Sequence, residues 1–161
     1  MEEAFAQKKA VDAAMTRARG NFGTLPDNFG PLHALASTQA DPRVVAVELE
    51  TKTPVEVDQQ DSTGMTALMY AAKDLQGDIA SHLVAAGASK ALTNNERKTA
   101  LALFDEALAA DQAIAEETGE SPTVDPNVAE DIRKTFEGGR RRRNRKTRAR
   151  KPKRRTTRRR R

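Results

Sequence analysis

Two histidines are the side chains of this chain whose chemistry is most typical of catalytic and metal sites. His33 and His82 are the only histidines among 161 residues, and the chain contains no cysteine. Their neighbours lack the ligand spacing of a zinc site, and the sequence has no Gly-rich phosphate loop and no Ser-His-acid pattern. The histidines therefore predict neither a metal site nor a nucleophilic active site.

A run of carboxylates is the second candidate for chemistry. The stretch FDEALAADQAIAEE places Asp105, Glu106 and Asp111 within two helical turns, a spacing that would suit a paired-carboxylate acid and base. Such a site needs an apolar or like-charged pocket that shifts the pKa of a carboxyl group, and nothing in this segment predicts one. We interpret the segment as the solvated face of an amphipathic helix, available as a binding surface. No enzyme activity and no cofactor is expected.

The C-terminal stretch RRRRNRKTRARKPKRRTTRRRR carries the densest charge. Residues 139–161 include 16 basic side chains, mostly arginine, and no acidic one. Guanidinium groups pair bidentately with phosphate, and no aromatic residue is present for base stacking, so we expect phosphate binding with weak sequence readout. The predicted nucleic-acid-binding residues are Arg140, Arg141, Arg142, Arg143, Arg145, Lys146, Arg148, Arg150, Lys151, Lys153, Arg154, Arg155, Arg158, Arg159, Arg160 and Arg161.

Three kinds of partner suit such a segment. RNA is favoured over DNA, because a long Arg-rich extension without aromatic residues suits burial among the phosphates of folded RNA, as in a ribosome or another ribonucleoprotein particle. RRRRNRK and RKPKRR also match nuclear localisation signals read by import receptors. Anionic membranes and acidic proteins are the third kind, although membrane attachment without a further anchor would be weak.

Charge divides the chain into two opposed parts. Residues 1–138 contain 12 basic and 23 acidic side chains, a net charge of −11, whereas the segment after them carries +16. We expect an acidic folded body followed by a disordered basic tail, residues 138–161, attached through Gly138 and Gly139. Without nucleic acid, this tail is expected to lie transiently on nearby acidic residues. These are Asp105, Glu106, Asp111, Glu116, Glu117, Glu120, Asp125, Glu130 and Asp131.

Composition restricts the body to one helical domain of ordinary size. The first residues, MEEAFAQKKAVDAAMTRARG, are too charged for a signal peptide, and no stretch has the ~20 apolar residues of a membrane span. Lack of cysteine suits a reducing compartment, so we expect a soluble intracellular protein of the nucleus or of a ribonucleoprotein particle. Abundant alanine favours closely packed helices. Residues 1–20 are predicted to form an N-terminal capping helix that ends at Gly20 and uses Phe5, Val11, Ala14 and Met15 as its apolar face.

The middle of the chain shows an internal repeat. Thr-Ala-Leu occurs at 66–68 and again at 99–101, a period of 33 residues that is typical of stacked helical repeats. Within one period, TALMYAAK and DIASHLVAAG each predict a short helix. Thr66 is a suitable N-cap for the first, and Gly87 closes the second.

Residues 61–93 resemble an ankyrin repeat, and the resemblance covers about 27–117 when weaker flanking copies are included. The matching residues are Asp61, Gly64, Thr66, Leu68, Ala71, Ala72, Ile79, Leu83, Gly87 and Ala88. The upstream copy starts at GPLHALAS and needs a three-residue insertion near QADPR or ETKTP. The downstream copy is half-degenerate after Asp105. The resemblance implies an all-α stack of ankyrin-like helix-turn-helix repeats with short hairpin loops and capping helices at both ends. It also implies that His33 hydrogen-bonds a neighbouring loop; His82 is expected on a helix surface.

A last helix is predicted at 125–137, with Asp125 as its N-cap and Val128, Ile132 and Phe136 as the stripe that docks on the preceding repeat.

Ankyrin-like proteins bind partners through the concave side formed by hairpin tips and inner helices. The resemblance therefore implies protein-binding residues Gln60, Ser62, Met65, Met69, Tyr70, Asn95 and Arg97. The alternative for Met69 and Tyr70 is that they fill the core between repeats. On the binding interpretation, Met65→Asp with Tyr70→Ala should remove partner binding and leave stability almost unchanged.

Overall fold

The computed structural model describes residues 2–137, with side chains from residue 5, and this part of the chain is helical without any strand. The basic tail, with all sixteen predicted nucleic-acid-binding residues, lies outside the described residues. The helices are α1 (Glu2–Phe22), α2 (Pro31–Ser37), α3 (Pro42–Glu50), α4 (Pro54–Val57), α5 (Ala67–Lys73), α6 (Gly77–Ala85), α7 (Ala100–Thr118) and α8 (Pro126–Glu137).

The helices form two layers. Helix α5 packs between α2 and α7 in one layer, and α6 packs between α3 and α8 in the other. Helix α1 covers the end of both layers through its contacts with α2 and α3. The core between the layers is built from Leu35, Leu68, Ile79, Leu83 and Phe104, each at most 2% exposed. Buried alanines such as Ala71 and Ala80 let the helix axes approach closely.

Local sequence signals set most of the helix ends. Thr66 and Thr99 cap α5 and α7 in the same way, because each hydroxyl accepts a hydrogen bond from the backbone N–H three residues later. Gly87 follows α6 with φ +97°, a left-handed conformation that glycine adopts without strain. The predicted roles of Thr66 and Gly87 are confirmed.

Helix α1 differs from the prediction at its end and on its apolar face. It continues through Gly20 to Phe22, because a single glycine inside a helix is only mildly unfavourable. The chain turns at Gly23, whose φ is +72° and whose N–H donates to the Arg19 carbonyl. Ala14 and Ala18 are buried, whereas Phe5 is 74% exposed and is not part of the packed face as predicted.

Helix α8 forms where it was predicted, and the Asp125 carboxylate accepts a hydrogen bond from the Asn127 N–H. Phe136 is buried against Phe104, and Ile132 packs onto Gly77 at the start of α6. Val128 was predicted in the same stripe but is 52% exposed, and Ala129 is buried in its place. The helix is rotated so that its smallest apolar side chain faces the neighbouring helices.

Candidate protein-interaction groove

Three tight turns precede helices α2, α5 and α7 and are hydrogen-bonded to one another in a row that we call the turn ladder (27–30, 61–65 and 94–98). The Ser62 N–H donates to the Asp27 carbonyl at 2.8 Å. On the other side, the Asn95 N–H donates to the Thr63 carbonyl at 3.2 Å, and its side-chain amide donates to the Ser62 carbonyl at 3.0 Å. The ladder therefore fixes the helices relative to one another at one end of the stack.

The buried carboxylate of Asp61 holds the central turn together. Its Oδ1 accepts hydrogen bonds from the Thr63 N–H, the Thr63 hydroxyl and the Met65 N–H, at 2.8, 2.6 and 3.0 Å. Its Oδ2 accepts from the Tyr70 hydroxyl at 2.6 Å. Burial raises the pKa of Asp61, but these hydrogen bonds outweigh burial and leave the pKa below its ordinary value. The carboxylate thus links the turn to helix α5.

His33 connects the first helix pair to the central turn. The Gly30 N–H donates to Nδ1 at 3.1 Å, so the proton is assigned to Nε2, which donates to the carbonyls of Gln59 and Met65 at 3.0 and 3.2 Å. This geometry confirms the predicted hydrogen bonding of His33 to a neighbouring loop. The imidazole also lies in an aromatic cluster with Phe22, Phe29 and Tyr70, whose neighbouring ring centroids are 5.4 to 5.9 Å apart.

A groove of about 910 Å³ runs between the turn ladder and the layer formed by α5 and α7; we call it the inner groove. Four of the predicted protein-binding residues line it, namely Ser62, Met65, Tyr70 and Asn95. Gln60, Met69 and Arg97 lie outside this lining. Gln60 directly precedes the central turn, and its amide donates to the carbonyls of Gly64 and Thr93. Arg97 is exposed on the third turn.

Burial requires a correction to the interpretation of the three apolar residues. Met65, Met69 and Tyr70 are only 7%, 1% and 4% exposed, so the structure places them in the core instead of on an open surface. They are buried because α5 packs between α2 and α7. Met65→Asp with Tyr70→Ala would place a charge in this core and break the bond to Asp61, so a large loss of stability is expected instead of the unchanged stability stated above.

Exposed apolar contact area in the inner groove comes from residues that the repeat pattern did not single out. Phe22 and Ile114 both line the groove and are 39% and 60% exposed. Half-buried Asp74 also lines the groove, and burial raises the pKa of its carboxyl despite the opposing effect of Lys73. Phe22 belongs to α1 and Ile114 to the extension of α7, so a repeat-based prediction could not bring them together.

The carboxylate run on α7 forms ion pairs within the body. Asp105 accepts from Arg133 of α8 at 2.6 Å, and Glu106 accepts from Lys98 at 2.6 Å.

His82 lies on α6, where its Nδ1 donates to the Asp78 carbonyl at 2.8 Å. Within residues 2–137, no group of three or more His, Cys, Asp or Glu side chains is arranged to hold a metal ion. None of the described helices is long and apolar enough to cross a bilayer.

Comparison with known proteins leaves the site to be interpreted from its own geometry, because no protein-family model and no curated protein matches the chain.

Gly64 is expected to be the least replaceable glycine of the turn ladder. It has φ +76°, and a Cβ there would lie 2.7 Å from Asn95 Oδ1 and 2.8 Å from Asn95 N. Gly119 has nearly the same φ, +72°, with open space around it. Gly119→Ala should therefore cost about 1 to 2 kcal/mol of strain, whereas Gly64→Ala should cost clearly more. Urea denaturation of the two variants measures the difference, and equal losses would contradict the close packing of the turns.

Stability is expected to decrease as the pH falls below the ordinary pKa of histidine. Burial lowers the pKa of His33, although the charge of Asp61 and the carbonyls of Gln59 and Met65 act against it. The unfolded chain then binds the proton more readily, so the free energy of unfolding should fall between about pH 7 and pH 5. Urea denaturation across this range, with His33→Gln as the comparison, tests this. The variant should be less stable at neutral pH and should lose less on acidification; an identical pH dependence would contradict the role of His33.

Proposed function

We propose that the chain is a non-enzymatic interaction module of the ankyrin-repeat type, in which the helical body binds a protein and the basic tail binds nucleic acid. Structural RNA of a ribonucleoprotein particle, such as a ribosome, is the first target. The observation that carries this proposal is the separation of charge. Sixteen basic residues without one acidic residue follow a body of net charge −11, so the two parts suit different classes of partner.

The spacing of equivalent features supports the ankyrin-type interpretation of the body. Helices α2, α5 and α7 start at Pro31, Ala67 and Ala100, intervals of 36 and 33 residues. The left-handed residues of the three turns, Asn28, Gly64 and Arg97, have the same intervals. The first interval is three residues longer than the second. One extra residue lies between the starts of α2 and α3, and two lie between the starts of α3 and α5, in the part that contains α4. The sequence offered QADPR or ETKTP as the position of a single insertion, and the extra residues are divided between these two places.

The inner groove is the proposed surface for the protein partner. Its apolar contacts are Phe22 and Ile114, and the half-buried carboxylate of Asp74 is available to a basic or hydrogen-bond-donating side chain of the partner. Ser62 and Asn95 of the turn ladder contribute polar groups at one edge. The ion pairs of Asp105 and Glu106 and the structural hydrogen bonds of His33 favour a binding role over catalysis, because these side chains already have partners.

Binding of the full-length protein to unrelated single-stranded RNAs is expected to show little sequence preference and a steep dependence on salt. If about eight of the basic side chains contact phosphates, the slope of log K against log salt is about −6 on single strands and about −7 on duplex DNA. Fluorescence anisotropy at several salt concentrations measures this slope, and a chain that lacks 140–161 is the control. A slope near zero, or strong preference for one sequence, would contradict phosphate binding.

The alternative function is that of a nuclear regulatory adaptor whose tail serves only as a localisation signal for import receptors. The sequences RRRRNRK and RKPKRR favour it. Replacing 140–161 by an unrelated import signal separates the two functions in cells. If the proposed function is right, the exchanged protein should no longer be recovered crosslinked to RNA and should not replace the original protein in cells. If the exchanged protein replaces the original fully, the adaptor function is favoured.

A further inference from the structure

A second groove lies on the opposite layer of the body, and its charge is of one sign. This outer groove, of about 740 Å³, is bounded by the segment between α2 and α3, by the start of α6 and by α8. Its charged lining side chains within the described residues are all acidic: Asp78, Asp125 and Asp131. Exposed Val128 and half-buried Ile132 form an apolar wall beside them. Such a lining repels nucleic acid and suits a basic ligand with an aliphatic portion.

Two of these carboxylates are available for a ligand. Neither Asp78 nor Asp125 forms an ion pair with any of residues 2–137, and Asp125 uses one oxygen to cap α8. Asp131 pairs with Lys134 at 3.1 Å, but both side chains are largely exposed, at 80% and 61%, so a second cation can replace Lys134 there.

Gln76 lines the outer groove and offers a further contact for a polypeptide. Its Oε1 and Nε2 are both buried and have no hydrogen-bond partner among the described residues, and the residue lines the groove. Buried polar groups are almost always paired, so an unpaired donor and acceptor on one side chain are unusual. When the Gln76 side chain turns into the groove, a peptide group offers its amide the complementary N–H and C=O. Combined with the three carboxylates, this indicates a basic peptide segment.

We propose that the basic tail of this chain is the occupant, and that it docks in the outer groove when no polyanion is bound. Helix α8 forms one wall of the groove, and the tail follows α8 directly in sequence. From Thr135 back to Asp125 the helix spans about 15 Å, whereas the twelve residues from Glu137 to Ala149 reach about 40 Å when extended. The Gly138-Gly139 pair permits the reversal of direction. Covalent attachment gives the tail an effective concentration in the millimolar range.

This docking site replaces the acidic face expected from the sequence. Asp105 and Glu106 of that face are engaged with Arg133 and Lys98, whereas Asp125 and Asp131 remain on the outer groove and are joined there by Asp78. The docking does not depend on the identity of the protein partner or of the nucleic acid.

Spin labelling of the full chain tests the proposal, because the absence of native cysteine makes an introduced one unique. Ala149→Cys carries the label without changing the charge of the tail. At low salt, the amide NMR signals of 76–81 and 128–135 should lose most of their intensity, and about 1 M salt, where the Debye length is about 3 Å, should restore them. Loss concentrated at Asp74, Glu106 and Asp111 of the inner groove, or no localised loss, would overturn the proposal.

Two charge-matched triple variants show whether the carboxylates of the groove matter. Asp78→Asn, Asp125→Asn and Asp131→Asn together should abolish the localised loss, and asparagine at 125 still caps α8. Asp12→Asn, Glu50→Gln and Glu117→Gln remove the same charge from exposed positions outside both grooves and should leave the loss intact. Equal effects of the two sets would mean that only total charge acts and would overturn the site.

Two further samples complete the test. Gln76→Leu should weaken the localised loss while the amide spectrum stays folded, and undiminished loss would overturn the assigned contact of the Gln76 amide. A mixture of spin-labelled protein with unlabelled, ¹⁵N-enriched protein should show no loss. Full loss in the mixture would identify the tail of a second copy as the occupant and overturn docking within one chain.

Discussion

The buried carboxylate of Asp61 organises the central turn, and the rest of the stack depends on the shape of that turn. Four hydrogen bonds end on its two oxygens, three from the turn itself and one from Tyr70 of α5. Because the same turn bonds to Asp27 on one side and Asn95 on the other, its shape sets the position of the helices before and after it. The buried negative charge is tolerated here because these four hydrogen bonds compensate for the loss of water around the carboxylate.

The two grooves lie on opposite layers of the body. The turn ladder and the layer of α2, α5 and α7 leave a long concavity on one side, the inner groove, while the layer of α3, α6 and α8 carries the outer groove. Lys98 and Arg133 neutralise part of the acidic surface near the inner groove, and among residues 2–137 no basic side chain lines the outer groove. One small body thus offers a mixed surface for a protein partner and a strongly acidic surface for a basic segment.

Local chemistry in the sequence predicted much of the fold, because caps and turns depend on one or two residues. The roles of Thr66, Gly87 and Asp125 could be identified in this way, whereas the hydrogen bonding of His33 was expected only from the resemblance to a repeat family. The predicted end of α1 at Gly20 was wrong, because a glycine ends a helix only where the backbone also turns. The chain turns at Gly23, which adopts the left-handed conformation, and not at Gly20.

The candidate site was harder to predict because burial and pairing are tertiary properties. Met69 and Tyr70 are large apolar residues at positions that a concave surface would expose, yet neighbouring helices cover them. Phe22 and Ile114 are 92 residues apart in sequence, and only the fold brings both to the lining of one groove. The unpaired amide of Gln76 gives no sequence signal at all, since a glutamine before a helix is ordinarily solvated.

A double-mutant cycle on Asp61 and Tyr70 tests most directly whether the turn and the helix stack are coupled through this carboxylate. Asp61→Asn, Tyr70→Phe and the double variant are compared with the original protein by urea denaturation at neutral pH. A hydrogen bond to a buried charged group predicts a coupling energy of about 1.5 to 3 kcal/mol between the two positions. Additive effects, with a coupling energy near zero, would show that the turn and α5 are stabilised independently and would contradict this account.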